Sequence, residues 1–102
     1  MSLSQWWTFR ESLVGYDHNY RAVYEFGDSS EIVIYIGSSD ELQFRLTRHL
    51  NEPADSCIKK NAKNYRYEYT ADYLRREQQL YDEHVSLYGK PPICNTARPS
   101  GP

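Results

Sequence analysis

The sequence predicts a small α+β domain, with a three-stranded, mostly antiparallel sheet flanked by helices. Two runs of β-branched and aromatic residues, Tyr20–Phe26 and Glu31–Ile36, flank a Gly-Asp-Ser-Ser segment, which is typical of a hairpin. A third run, Tyr65–Tyr69, alternates aromatic with charged residues, the period of a half-buried strand. A segment with helical spacing of apolar residues follows the second run, and another follows the third.

Length and charge limit the classes of protein that this chain can be. A chain of 102 residues suits one domain with one core. The net charge is −2, but residues 1–44 carry two basic and seven acidic groups, whereas residues 45–102 carry ten basic and seven acidic ones. The chain is therefore not strongly basic as a whole, although its second half can present a basic face.

Cysteine usage and hydropathy predict a compartment. Cys57 and Cys94 are far apart and form no CxxC pair, so the sequence suggests neither a disulfide framework nor a zinc site. No signal peptide and no apolar run of membrane-spanning length is present in the sequence. We therefore expect a soluble, cytoplasmic protein with reduced thiols and no membrane partner.

The two ends of the chain are expected to lie outside the main domain. Ser4 is a suitable N-cap, and apolar residues at helical spacing after it predict a helix from Gln5 to Val14, ended by Gly15. We take residues 1–19 as an N-terminal helical extension and residues 20–95 as the domain. Residues 96–102 are rich in Pro, Gly and Ser and predict a flexible tail.

Capping residues and leucine spacing predict the helices of the domain. Ser38, Ser39 and Asp40 suit the start of a helix that runs to about Leu50. Residues 54–63 are ambiguous and fit a short helix. Thr70 suits the start of a long helix over residues 71–88, which a glycine at position 89 would end.

Glu77 is an acid at an inward position of that long helix. Apolar residues one helical repeat before and after it place it on the apolar face, where an unpaired carboxylate costs several kcal/mol. One explanation is an ion pair with Arg45, Arg75 or Arg76. The other is a functional carboxylate, and the helical pattern alone leaves both open.

Several motifs, taken in order, resemble the GIY-YIG nuclease domain. The sequence has Ala22-Val23-Tyr24, then Tyr35-Ile36-Gly37, then a helix of the form L-x-x-R-L-x-x-H over residues 42–49. The family also has a glutamate on a later helix and an asparagine after a proline-containing turn, and Glu77 and Asn95 match them. The resemblance covers residues 20–95. Two positions depart from the pattern: position 22 is Ala where the family has Gly, and position 41 is Glu where Asn is usual.

The resemblance implies a metal-dependent DNA endonuclease that hydrolyses phosphodiester bonds, with a place in DNA repair or recombination. It implies Mg²⁺ or Mn²⁺ as the cofactor, held by Glu77, because such a hard ion keeps most of its waters and needs few protein ligands. Tyr24 would be the general base, either because cationic neighbours lower its pKa or because it passes its proton to His49. Arg45 would bind phosphate. The site residues that the resemblance implies are Tyr24, Tyr35, Arg45, His49, Glu77 and Asn95.

Other interpretations of these residues stay open. The densest basic run is expected either to contact DNA phosphates or to be a solvated turn: Lys59, Lys60, Lys63 and Arg66. A catalytically weak or inactive module with the same fold, binding nucleic acid or another protein, is the alternative function. Trp6 and Trp7 would then suit contact with a targeting partner or with a second copy in a homodimer. RNA binding through the aromatic residues of the 65–69 run is a third possibility.

Overall fold

The structure, a computed structural model, describes residues 2–99 of the chain. Within these residues the chain forms a four-stranded antiparallel sheet in the order β1-β4-β2-β3, with helices packed against it. The elements in chain order are β1 (Trp7–Thr8), α1 (Glu11–Val14), β2 (Ala22–Gly27), β3 (Val33–Ser39), α2 (Leu42–Leu50), α3 (Cys57–Asn61), β4 (Asn64–Tyr69) and α4 (Tyr73–Tyr88). The predicted α+β class is confirmed, but the sheet has a fourth strand.

The predicted hairpin forms from β2 and β3, with a register that places Tyr24 opposite Gly37 and Phe26 opposite Tyr35. Its turn is organised by Asp28, whose carboxylate accepts hydrogen bonds from the backbone N–H groups of residues 30 and 32. Such side-chain to backbone bonds are how aspartate favours turns. The hairpin fixes which side chains of the two strands share a face.

One face of the sheet is aromatic and apolar. Tyr24 and Phe26 of β2 lie beside Tyr67 and Tyr65 of β4, because these residues are directly opposite in the register. Buried apolar residues of α1, α2 and α3 pack against this face. The core is therefore built where the alternating aromatic residues of the sequence point the same way.

The second face of the sheet is covered by α4. Buried Leu80 and Tyr81 of this helix pack against apolar residues of β2 and β3. Two buried acids also lie on this side, and each is paired: Glu25 with Arg66 at 2.7 Å and Glu68 with an arginine of α4 at 3.1 Å. The predicted half-buried strand forms as β4, four of whose six residues are partly buried. Its charged side chains lie on the α4 side of the sheet in ion pairs.

The N-terminal segment differs from the predicted helix over residues 5–14. Trp7–Thr8 is a strand that pairs with β4, and only Glu11–Val14 is helical. Ser4 does not cap a helix: it exchanges hydrogen bonds with Tyr67, whose carbonyl accepts from the Ser4 N–H at 2.7 Å. The helical spacing of aromatic residues here reflects contacts with separate parts of the sheet, since Trp6 lies under the guanidinium of Arg66 at 4.3 Å.

The predicted helix starts lie within about two residues of the observed ones. The predicted capping residues were wrong, because the N-cap residues are Glu41 and Asp72 and neither makes a side-chain capping hydrogen bond. The hydroxyl of Ser39 accepts a hydrogen bond from the Glu41 N–H just before α2. The hydroxyl of Thr70 accepts one from the Asp72 N–H before α4. Helix α4 ends at Gly89, which has φ of 74°, the left-handed conformation that glycine adopts without a steric penalty.

Cys57 and Cys94 form a disulfide, with their Cα atoms 5.6 Å apart. The expectation of reduced thiols was therefore wrong for this structure, because the fold brings together two residues that are 37 positions apart. The disulfide joins α3 to the segment after α4. Residues 96–99 lie beside α4, where Arg98 pairs with Asp82 at 2.8 Å, while the rest of the predicted tail lies outside the described residues.

A search of the described residues for a helix with the length and apolar character needed to cross a bilayer gives none.

Candidate functional site

Tyr24 and Tyr35 approach each other over Gly37. Tyr24 is fully buried, and its ring centroid lies 6.2 Å from that of Tyr35. A Cβ atom added to Gly37 would lie 2.7 Å from the Tyr24 hydroxyl oxygen and 2.8 Å from a ring carbon of Tyr35. Real Cβ atoms do not approach other atoms so closely, so only glycine at position 37 leaves room for both phenol rings.

Tyr24 belongs to a chain of hydrogen-bonded side chains that runs from β2 into the end of α2. Its hydroxyl lies 2.8 Å from Nε2 of His49, and Nδ1 of His49 lies 2.5 Å from a carboxylate oxygen of Glu52. An ionised carboxylate only accepts hydrogen bonds, so Nδ1 carries the imidazole proton and Nε2 is the acceptor. The Tyr24 hydroxyl therefore donates a hydrogen bond to Nε2 of His49.

Burial keeps the first two groups of this chain neutral near pH 7. Burial raises the pKa of Tyr24 well above its usual value of 10.0, and the neighbouring Tyr35 adds to this while the charge of Arg45 opposes it. Burial lowers the pKa of His49 below its usual 6.5, although its hydrogen bond to Glu52 acts in the opposite direction. A neutral phenol donating to a neutral imidazole is the arrangement that results.

Glu77 reaches the same region from α4. The hydroxyl of Ser38 donates to a carboxylate oxygen of Glu77 at 2.5 Å. Burial raises the pKa of Glu77, and the Ser38 hydrogen bond and the charge of Arg45 partly offset this rise. None of the ion pairs within residues 2–99 includes Glu77. An ion pair with an arginine therefore does not explain the inward position of Glu77.

Arg45 supplies the positive charge of the cluster. Its guanidinium lies near enough to oppose the burial-driven rise in the pKa values of Tyr24, Tyr35 and Glu77. The Nε atom of Arg45 is buried and has no hydrogen-bond partner among residues 2–99. A buried donor without a partner costs about 1–3 kcal/mol, so an acceptor that binds here would recover that free energy.

An opening beside Arg45 leads to this part of the molecule. A cavity of about 290 Å³ is lined by Arg45, Arg48, His49 and Glu52. The two guanidinium groups outnumber the one carboxylate at its wall, so the cavity suits an anionic group such as a phosphate.

Asn95 holds the outer edge of β3. Its side-chain carbonyl accepts from the Ile36 N–H at 2.9 Å, and its amide donates to the Ile36 carbonyl at 3.0 Å. The preceding residue, Cys94, donates its backbone N–H to the Ile34 carbonyl at 2.8 Å. The chain after α4 therefore satisfies the backbone groups of an edge strand that carries Tyr35.

The structure places all six residues implied by the resemblance around residues 35–38 of β3. Tyr35 is in this strand, and Tyr24 lies opposite Gly37. Asn95 and Glu77 bond directly to residues of the strand. The remaining two, Arg45 and His49, face it from α2.

The basic run 59–66 does not converge on this cluster. Arg66 lies on the α4 face of the sheet, where its guanidinium pairs with Glu25 and not with a residue of the cluster. The ammonium group of Lys59 donates to the Leu50 carbonyl at 2.8 Å. Lys60 and Lys63 are exposed.

The two positions that depart from the family pattern fit their surroundings. Ala22 is fully buried and belongs to the apolar core, so its methyl group contributes packing. The carboxylate of Glu41 accepts a hydrogen bond from the Asn19 side chain at 3.2 Å.

Sequence reasoning missed two members of the cluster, Ser38 and Glu52. Ser38 directly follows the Tyr-Ile-Gly motif, and its place opposite Val23 puts it on the α4 side of the sheet. Glu52 lies three positions after His49, a spacing at which side chains on a helix meet. That spacing could have predicted the contact between Glu52 and His49, but Glu52 lies beyond the end of α2, where helical spacing no longer applies.

The donor set suits one kind of metal ion. No group of three His, Cys, Asp or Glu side chains in the described part of the chain is arranged to hold a metal. A single carboxylate, Glu77, beside an arginine fits a hard ion that retains waters and shares a phosphate ligand, as Mg²⁺ does. It does not fit a structural zinc site, which needs four protein ligands.

Comparison with known proteins identifies the fold. No family model matches the chain, and no curated protein matches it either. Three solved structures similar to it are of the GIY-YIG N-terminal endonuclease domain of UvrC from Thermotoga maritima, each a point mutant bound to its catalytic divalent cation. They cover 84% of this chain and 93% of their own, with TM-scores of 0.62, 0.62 and 0.63 and sequence identities of 20%, 22% and 20%. The chain has the fold of this endonuclease domain.

Proposed function

We propose that the protein is a metal-dependent DNA endonuclease that hydrolyses phosphodiester bonds by the GIY-YIG type of mechanism. The observation that carries this proposal is the convergence of Arg45, Glu77 and the hydrogen-bonded pair Tyr24–His49 on residues 35–38 of β3. Phosphodiester hydrolysis needs a base for the attacking water, a cation for the phosphate and stabilisation of the leaving oxygen. The cluster has a candidate for each.

Tyr24 and His49 together provide the base. Tyr24 alone cannot act as a phenolate at neutral pH, because burial raises its pKa well above 10.0. As its oxygen takes a proton from the attacking water, its own proton moves along the existing 2.8 Å hydrogen bond to Nε2 of His49. His49 is neutral at this pH because burial lowers its pKa, so it can accept that proton.

Arg45 and Tyr35 would orient the phosphate. The buried Nε of Arg45 lacks a protein partner among residues 2–99, and a phosphate oxygen can supply one. The phenol of Tyr35 is partly exposed and close to both Tyr24 and His49. Asn95 braces the strand from which Tyr35 projects.

Glu77 is the residue that would hold Mg²⁺ or Mn²⁺. A divalent ion bound there supplies charge stabilisation to the phosphate and the leaving oxygen. Burial of Glu77 favours a site in which its carboxylate gains a cation, because an isolated buried carboxylate is unfavourable. The similar endonuclease domain of Thermotoga maritima binds a divalent cation, which supports this assignment.

The proposed location is the cytoplasm, where a DNA substrate would be accessible. Disulfides persist mainly in oxidising compartments, so Cys57–Cys94 would be subject to reduction in the cytoplasm.

DNA is the proposed substrate. Exposed Lys60 and Lys63 are candidates for additional phosphate contacts, whereas Arg66 is less suited to that role because its guanidinium pairs with Glu25. A targeting partner or a homodimer would add affinity for particular DNA shapes.

Cleavage of DNA by a Glu77 variant tests the proposal. Plain, branched and flapped duplexes are incubated with the wild type, Glu77→Ala and Glu83→Ala in Mg²⁺ or Mn²⁺. Glu83 is an exposed acid on the same helix and serves as the matched control. We expect cleavage by the wild type and the control but not by Glu77→Ala. DNA binding without cleavage in any metal would instead favour the inactive binding module.

A further inference from the structure

Glu52 occupies a defined position at the end of α2. The helix ends at Leu50, and the backbone N–H of Glu52 donates to the carbonyl of His49 at 3.3 Å. Pro53 follows and restricts the chain as it leaves the turn. This turn folds the carboxylate of Glu52 back onto the imidazole one turn earlier, at 2.5 Å from Nδ1.

We propose that Glu52 is a positioning residue, whose carboxylate holds the His49 imidazole with its proton on Nδ1 and thereby keeps Nε2 available to Tyr24. The inference rests on the proposed function of Tyr24 and His49 in DNA hydrolysis. It assigns a role to a residue that lies outside the six implied by the family resemblance.

The tautomer decides whether proton transfer can occur. A neutral imidazole has one nitrogen that donates and one that accepts. With the proton on Nδ1, Nε2 accepts from the Tyr24 hydroxyl, and a proton can pass from water to Tyr24 and from Tyr24 to His49. With the proton on Nε2, Tyr24 would have to accept from His49, and the path for its own proton would be closed.

The charge that forms on His49 during proton transfer is the second reason for assigning this role to Glu52. When the water O–H bond breaks, its proton goes to the Tyr24 oxygen while the former Tyr24 proton forms a bond with Nε2. His49 then carries a positive charge, which the negative charge of Glu52 offsets. Arg45 and Arg48, both on α2, disfavour that charge. Of the charged groups facing His49 from the described elements, Glu52 is the one that favours it.

Within residues 2–99, Glu52 is the hydrogen-bond partner of Nδ1 of His49, and aromatic rings pack around the imidazole. Phe26 packs edge-on against its imidazole with ring centroids 5.0 Å apart, and Tyr35 lies 5.6 Å away on the β3 side. The side chain of Glu52 is 29% exposed, so its replacement leaves the core intact. A change at position 52 should therefore act on His49 without unfolding the domain.

The tautomer can be measured without any DNA. Imidazole ¹⁵N chemical shifts are compared in the wild type, Glu52→Gln, Glu52→Asp and Asp55→Asn. Asp55 is an exposed acid in the same loop and controls for the loss of one negative charge. We expect protonated Nδ1 in the wild type and control, and a shift toward protonated Nε2 in Glu52→Gln, because a neutral amide can donate as well as accept. An unchanged tautomer in Glu52→Gln would overturn the proposal.

The pH dependence of cleavage gives the second readout. Without the carboxylate, the pKa of His49 falls further, so the acidic limb of the rate profile moves to lower pH. The plateau rate falls by about 100-fold, the lower end of what a positioned acid–base group contributes. Glu52→Asp should recover part of the rate, and Asp55→Asn should match the wild type. Coincident pH–rate profiles for wild type and Glu52→Gln would also overturn the proposal. An inactive wild type would refute the nuclease assignment, and the ¹⁵N measurement of the His49 tautomer would then test the role of Glu52 by itself.

Discussion

Replacing Gly37 by alanine tests whether close packing of the two tyrosines builds the site. The added Cβ would lie 2.7 Å from both Cζ and the hydroxyl oxygen of Tyr24. Tyr24 cannot withdraw, because it is fully buried and bonded to His49 at 2.8 Å. Overpacking of this kind costs about 1–3 kcal/mol. In a domain of this size, each kcal/mol lowers Tm by about 4–8 °C.

Gly15→Ala is the matched control for this substitution. Gly15 has φ of −62°, and a Cβ there would meet its nearest atom at 3.4 Å, so alanine should leave Tm unchanged or slightly higher. Thermal unfolding of the two variants measures the difference, and single-turnover cleavage should fall by about 100-fold in Gly37→Ala as Tyr24 is displaced. If Gly37→Ala unfolds at the same temperature as Gly15→Ala, the packing argument is refuted.

Two further predictions concern stability. Reduction of the Cys57–Cys94 disulfide should lower the free energy of unfolding by about 2–4 kcal/mol in urea titrations, because the disulfide closes a long loop of the unfolded chain. The Cys57→Ser/Cys94→Ser double variant should not respond to reductant. Equal responses of the wild type and the double variant would contradict this prediction. Because burial lowers the pKa of His49, the unfolded chain takes up this proton first, so stability should be lost as pH falls below about 6.5. In urea titrations between about pH 5 and 8, the free energy of unfolding should fall less toward low pH in His49→Gln than in the wild type. His84→Gln is the control, since burial also lowers the pKa of His84, and it measures the contribution of a different histidine. The same pH dependence in His49→Gln and wild type would remove His49 from the explanation.

Local patterns predicted the parts of the fold that depend on local interactions. The hairpin follows from two strand-forming runs around Asp28, whose carboxylate bonds within its own turn. Helix α4 ends where Gly89 permits a left-handed residue. The resemblance carried by the order of the motifs, rather than any local pattern, predicted that Tyr24, Tyr35 and Glu77 belong to one site.

Long-range pairings account for what the sequence did not predict. Trp7–Thr8 becomes a strand only because β4, more than fifty residues later, offers an edge to pair with. Cys57 meets Cys94 only after α4 has returned the chain to β3. Arg66 looked like a free basic residue, and its partner Glu25 is visible only in the register of β2 and β4.

Cleavage measured as a function of cation concentration tests whether Glu77 holds the metal ion on which hydrolysis depends. Single-turnover cleavage of a branched DNA is measured over a series of Mg²⁺ or Mn²⁺ concentrations that starts from no added cation, for wild type, Glu77→Gln and the Glu83→Gln control. We expect the wild type and the control to cleave only with the cation present, and Glu77→Gln to stay inactive at every concentration. Cleavage that needs no cation, or that is equal in wild type and Glu77→Gln, would contradict this expectation.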